Sequence, residues 1–229
     1  MSRLQWWWCA FALTVAAVAG AYLVLDRPVS LFAHAHLMSY PVFAALTYIP
    51  EPLTSIATIL VLVVGVTSLA DGPASRWQRI ALTFGFSILA TSLIKNHIKI
   101  VFGRTWPETW TQGNPSLIRD NAYGFNFFQA PHGKWYESFP SGHTAALCAA
   151  ATVVWVCYPR LRPLCVLLVA VLVVGLIGSN FHFVSDIIAG GFLGTTVALV
   201  ALRLAGLSPA KPPVDPDGAA GSKPAQPLT

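Results

Sequence analysis

The stretch FPSGHTAALCAAATVVWVCY, residues 139–158, is where a polar, aromatic loop turns into a long apolar run. It reads as a helix start. Pro140 fits the first helical turn, and Ser141 and Gly142 leave their backbone N–H groups open at the positive end of the helix, which makes a seat for an anion. His143 follows at once and puts a titratable imidazole beside whatever those N–H groups hold. Taken alone, the tetrapeptide is equally a helix start that happens to contain a histidine. A second stretch, His182 to Asp186, decides between the two readings, because membrane topology carries it to the same place.

The chain has 229 residues, of which 55% are hydrophobic and 10% charged, and its mean hydropathy is +0.62. That is too apolar for a soluble globular domain and reads as an integral membrane protein. A helix needs roughly 20 apolar residues, at ~1.5 Å each, to cross the hydrocarbon core. Five runs qualify, from about Trp6 to Leu25, Leu53 to Ala70, Ile80 to Val101, Ser141 to Tyr158 and Leu164 to Phe181. A sixth, Val184 to Leu204, follows after a short break. The expected fold is therefore all-α, a six-helix transmembrane bundle over residues 1–207 with an outer loop at 103–139. The Pro-, Ala-, Gly- and Lys-rich segment 208–229 is expected to be a disordered cytoplasmic tail.

Between the first two runs, residues 26–52 are apolar but interrupted by Pro28, Pro41, Pro50 and Pro52. This segment reads as a short interfacial or re-entrant helix rather than a crossing. It carries His34 and His36, which lie two apart and so face different sides of a helix. Asp71-Gly72-Pro73 is a turn signal closing the second run. The first run contains Ala17-Val18-Ala19, a small-residue stretch resembling a signal-peptide cleavage site, yet it continues through Leu25 and opens with Trp6, Trp7 and Trp8, an interfacial belt. It is read as a retained span.

The net charge of +5 comes from dispersed basic residues, with no basic cluster interleaved with aromatics, which argues against a nucleic-acid partner. Cys9, Cys148, Cys157 and Cys165 lie within or at the ends of spans, as packing residues rather than a disulfide framework. With six crossings, Arg3, Arg76, Arg79, Arg160, Arg162, Arg203, Lys211 and Lys223 share one side, and Arg27, Lys95, Lys99, Arg104, Arg119 and Lys134 the other. The excess on the first side makes it cytoplasmic, with both termini there. Lys95 and Lys99, His143, His182 and Asp186 then meet at the outer face. Ionisable residues at that depth are functional candidates.

At i, i+4 on a helix, Asp186 reaches one imidazole nitrogen of His182 and leaves the other free as a nucleophile or base. His143 is the candidate acid for a leaving group, and Lys99 supplies fixed positive charge. A nucleophile, an acid, N–H donors and a cation suit phosphoryl transfer.

In order and spacing, Lys99-Ile-Val-Phe-Gly-Arg104-Thr-Trp106-Pro107, Pro140-Ser-Gly-His143 and His182-Phe-Val-Ser-Asp186 resemble the three motifs of the type 2 phosphatidic acid phosphatase superfamily. That superfamily includes bacterial membrane lipid phosphatases and the vanadium haloperoxidases. The resemblance implies a reaction without cofactor or metal in which His182 becomes phosphorylated and His143 protonates the leaving oxygen. It further implies that Asp186 orients His182, while Lys99, Ser141 and Gly142 bind phosphate. Two of the family's guanidiniums are missing. Trp106 stands where the first motif has arginine, and Gly175 and Leu176 stand where the third motif opens with Ser-Arg. Arg104 is the nearest substitute for phosphate binding, with Arg119, Lys95 and Lys134 as further candidates. Snorkelling to the interface is the plainer reading of Lys95, as interfacial anchoring is of Trp106, Trp110, Trp135 and Tyr136, and close helix packing of Gly190, Gly191 and Gly194.

The function expected is hydrolysis of a lipid phosphate or diphosphate monoester at the outer, periplasmic face of a bacterial-type inner membrane. Its partners would be that amphiphilic substrate and the surrounding lipid, with the oligomeric state left open. The competing readings are a phosphotransferase using the same histidine, a non-catalytic lipid-phosphate binder, and a metal hydrolase built on His143, His182 and Asp186.

Overall fold

The computed structural model describes residues 2–70, 74–110, 113–128 and 134–207. The Asp71-Gly72-Pro73 turn and the tail at 208–229 lie outside the described residues. The fold is all-helical. In chain order the helices are α1 (Arg3–Gly20), α2 (Asp26–His36), α3 (Pro41–Thr47), α4 (Glu51–Ala70), α5 (Arg76–Phe102), α6 (Leu117–Asp120), α7 (Gly142–Cys157), α8 (Arg162–Gly178) and α9 (Val184–Leu204). Isolated bridges such as Arg104 to Phe125 and Trp106 to Ser116 are the extended pairing among the described residues.

Among the described residues, five helical runs are long and apolar enough to cross a membrane: Leu4–His36, Pro41–Leu69, Arg76–Phe102, Pro159–Gly178 and Val184–Leu204. The protein is an integral membrane protein. Helix α7, at 16 residues, is apolar but shorter.

The first run corrects the sequence reading, which ended a span at Leu25 and began a separate interfacial segment. Instead α1 passes through a π turn at Ala21–Leu25 straight into α2. Pro28 would break a regular helix because it lacks an N–H and its ring meets the carbonyl four residues back. A widened π turn just ahead of it, in which the Asp26 N–H reaches the Ala21 carbonyl, absorbs that mismatch. The run after Pro41 is likewise continuous with the next span. Helix α3 lies on α8, where Gly175 and Gly178 give Phe43 and Leu46 room to approach.

Helix α5 opens with a Ser75–Gln78 capping box and stops at Gly103, whose φ of 50° is the left-handed conformation that ends a helix. Helices α7 and α9 pack backbone to backbone, since a Cβ on Gly190 or Gly194 would strike the carbonyl of Ser141 or Ala145. Around that pair, one core joins Ile88, Ala149, Val153, Ala198 and Leu202, and a second joins Leu147, Leu172, Leu176 and Ile187.

The Arg203 guanidinium lies 5.6 Å over the Trp7 ring, and Arg79 donates to the Ala205 carbonyl. The starts of α1 and α5 and the end of α9 therefore share one end of the molecule. The end of α5, the start of α7 and the turn from α8 to α9 meet at the other.

Candidate active site

At that second end a cavity of about 210 Å³ opens between α4, α5, α7 and the turn before α9. Its walls include Glu51, Lys95, Lys99, Trp106, His143 and His182, with Gly142 and Phe181 beside them. Five of these eight residues, Glu51, Lys95, Lys99, His143 and His182, are charged or titratable.

His143 is the second residue of α7, and its buried Nδ1 has no hydrogen-bond partner among the described residues. Its ring faces that of His182 at a centroid distance of 5.9 Å. Gly142, the first residue of α7, has an N–H with no acceptor inside the helix. A Cβ there would lie 3.0 Å from Lys95 Cδ and 3.3 Å from its Nζ, so glycine leaves the space that the lysine uses.

Ser141 departs from the sequence reading. It is the N-cap of α7, its hydroxyl accepts from Thr144, and its N–H donates to the Asp186 carbonyl at 3.0 Å. That N–H is therefore closed to an anion, and the Ser141 side chain is fully buried outside the cavity. Pro140 accordingly sits before the cap rather than in the first turn.

His182 also stands differently from the expectation. It precedes α9 instead of lying on it, because α8 ends at Gly178, Asn180 beyond it is left-handed, and α9 begins only at Val184. Asp186, in the first turn of α9, bends back to accept the Phe183 N–H at 3.1 Å. Its Oδ2 lies 3.6 Å from His182 Nδ1, ion-pair rather than hydrogen-bond range. Ser138 completes the group, donating to Asp186 Oδ2 at 2.6 Å and lying 3.5 Å from His182 Nδ1. Cap geometry rather than helical periodicity thus joins His182 to Asp186. Burial pulls the His182 pKa below the usual imidazole value, although the nearby Asp186 carboxylate opposes this.

Arg104 is a correction as well. It is 0% exposed and does not line the cavity. One terminal nitrogen donates to Asp186 Oδ1 and to Ser185 Oγ, each at 2.5 Å, and the other donates to Asp26 Oδ2 at 2.6 Å. The rings of Tyr22, Tyr123, Phe125 and Phe183 surround the guanidinium. Burial lowers its pKa, but the carboxylates of Asp186 and Asp26 outweigh burial and raise it. Its Nε has no hydrogen-bond partner among the described residues, but the whole guanidinium is buried behind the cavity wall, out of reach of a phosphate held there.

The cations at the cavity are Lys95 and Lys99, four residues apart on one face of α5. Lys99 Nζ donates to the Glu137 carbonyl at 2.5 Å and lies 5.6 Å over the Trp106 ring. Arg119 is turned away, bonded to Asp120 and the Gly113 carbonyl, and Lys134 contributes a backbone carbonyl to Trp106 Nε1. Trp106 is not an interfacial anchor: it is 9% exposed and its ring lies 5.3 Å from that of His182. Leu176, in place of the third-motif arginine, is packed in the core. Lysines, rather than relocated arginines, carry the positive charge. His34 and His97 lie outside the cavity, bonded to Glu108 and to the Leu93 carbonyl.

Sequence reasoning missed Ser138 and Asp26, and it put interfacial anchoring ahead of a place at the substrate entrance for Trp106, which lines the cavity. The available signal for Asp26 was an acid directly after a long apolar helical run; for Ser138 there was none in the spacing. Among the described residues, no group of three His, Cys, Asp or Glu side chains is arranged to hold a metal ion.

No curated protein and no solved structure matches the chain. A family model does, that of the PAP2 superfamily, over residues 80–208. The match covers more than half of the chain and contains Lys99, His143, His182 and Asp186, the groups that the fold gathers around one cavity and its carboxylate support. The chain belongs to the PAP2 superfamily.

Proposed function

We propose that this protein is a six-span membrane phosphatase that hydrolyses a lipid phosphate or diphosphate monoester at the outer face of the inner membrane through a phosphohistidine. The observation that carries this reading is the pair of imidazoles, His143 and His182, facing each other beside two lysines and a helix N-terminus. His182 Nδ1 is turned to Asp186, so Nε2 is the nucleophile. Nε2 attacks phosphorus, the ester P–O bond breaks, and protonated His143 gives its proton to the leaving oxygen. A water then attacks the phosphohistidine and passes a proton to His143. The P–N bond breaks and phosphate leaves. Lys95, Lys99 and the Gly142 N–H hold the phosphoryl oxygens, whose charge must be balanced throughout.

A lipid substrate is supported by the length of α7. Its 16 residues, at ~1.5 Å each, span ~24 Å against a hydrocarbon core of ~30 Å. As the fourth of six spans it would set the cavity at the hydrocarbon boundary, where a substrate keeps its tail in lipid. Orientation follows the positive-inside rule, with the arginine-bearing end in the cytoplasm and the cavity toward the periplasm.

The test is phosphate release from a panel of lipid phosphates and diphosphates by protein purified in detergent with chelator present, beside a His182→Ala control. Release by the wild type alone is expected. Equal release by the control refutes the assignment. Loss of release on chelation would favour a metal hydrolase, and phosphoryl transfer to a second lipid in place of release would make the protein a transferase.

A further inference from the structure

The family match begins at residue 80, yet one of the two fully buried ion pairs of Arg104 is made with a residue far upstream. Asp26 is 1% exposed and lies immediately after the π turn of the first helical run. Its Oδ2 accepts from Arg104 at 2.6 Å and from the Ser185 hydroxyl at 2.5 Å, and its Oδ1 accepts from the Ser185 N–H at 2.9 Å. The Tyr123 hydroxyl lies 3.3 Å from Oδ2. Arg104 reaches Asp186 with its other terminal nitrogen. The order of contacts is therefore Asp26, Arg104, Asp186, His182, from the first helix to the cavity.

We propose that Asp26 is a positioning residue of the active site: it shares the Arg104 guanidinium with Asp186, and thereby fixes the orientation and the charge that Asp186 presents to His182. This rests on the reading of His182 as the nucleophile. Asp26, Asp186 and Arg104 together carry one net negative charge, which favours a phosphohistidine whose imidazole is cationic. Asp26→Asn makes the trio neutral and leaves Asp186 as the guanidinium's one anionic partner. The other groups around His182 are Lys99 and His143, Ser138, and the rings of Trp106 and Phe181, and that substitution alters none of them. The π turn that accommodates Pro28 has a second consequence here. It redirects the helix so that Asp26 faces inward at the level of Ser185, without disturbing the apolar face that precedes it.

The test uses full-length protein in detergent and Asp26→Asn. The expected result is a fall in kcat of tenfold or more, with KM for the lipid phosphate within about twofold of wild type, since the cavity cations are untouched. A second readout does not depend on turnover. In protein labelled with 15N-histidine, the imidazole N–H resonance of His182, identified by its loss in His182→Gln, should shift in Asp26→Asn and stay in place in Asp120→Asn. Where Asp26→Asn does not yield folded protein, Ser185→Ala removes one hydroxyl bridging Asp26 and Arg104 and should move kcat and the resonance in the same direction. Unchanged kcat per folded molecule, or an unshifted resonance, overturns the proposal. If the wild type releases no phosphate, the phosphatase reading fails by itself, and the resonance alone decides whether Asp26 positions His182.

Discussion

Arg104→Met separates a structural guanidinium from a phosphate-binding one. In the wild type, Arg104 and its two carboxylate partners have fully buried side chains, and the contacts to Asp26 and Asp186 measure 2.6 and 2.5 Å. Methionine fills similar volume but leaves two buried carboxylates without a cation. Removing one partner of a buried pair costs about 3–5 kcal/mol. At roughly 2–4 °C per kcal/mol for a protein of this size, the unfolding midpoint should fall by about 6–20 °C. Arg104→Lys should lose less, because it keeps the charge, though a single ammonium cannot serve Asp26, Ser185 and Asp186 with the geometry of a guanidinium fork. The assay is tryptophan fluorescence during a thermal ramp in detergent, run beside phosphate release on the fraction that stays folded. An Arg104→Met protein that unfolds at the wild-type temperature, with a raised KM and unchanged kcat, would refute the reasoning. It would show that the guanidinium faces the substrate.

Lys95→Met and Lys99→Met should each raise KM by roughly 10- to 150-fold, the equivalent of ~1.5–3 kcal/mol for a charge-assisted hydrogen bond; a kinetic series in KM checks this, and an unchanged KM removes that lysine from the phosphate. Trp106→Arg returns a guanidinium to the position where the family motif has one, so inhibition by inorganic phosphate should tighten; equal or weaker inhibition would mean that position 106 does not face the anion. The pKa of His182 is lowered by burial against the pull of Asp186, so the fold favours the neutral imidazole. Its contribution to stability is full above the unfolded value near ~6.5 and is lost as pH falls through the lower folded value. The acid limb of kcat/KM assigned to His182, after the substrate's own titration is subtracted, should therefore lie below ~6.5, and a limb above 7 contradicts this. Ser138→Ala leaves one Asp186 oxygen short of a donor and should reduce kcat more than KM, which steady-state kinetics will read directly.

The apolar runs were legible because a helix in lipid must satisfy its own backbone, so length and hydropathy constrain it heavily. His143 and His182 were legible because each sits in a short motif whose local structure is largely self-contained. What the sequence hid depends on how a side chain is turned. Arg104 and Trp106 are two residues apart in one loop, and only the packed loop reveals that Arg104 points inward to the carboxylates while Trp106 lies against His182. Lys95 and Lys99 share a helical face, a spacing visible in the sequence, but whether that face meets a cavity or lipid depends on where α7 packs. Pro28 read as a break because a π turn carries no sequence rule strong enough to predict it. The contact between His182 and Asp186 came out at the expected residues by a different route, a helix cap instead of a helical turn.

The most direct test of the central claim is a rapid-quench experiment with a 32P-labelled lipid phosphate. The account predicts a transient label on the protein, stable in base and lost in acid, that maps to His182 and is absent from His182→Ala. Phosphate release without any labelled enzyme, or a label that persists in His182→Ala, would contradict it.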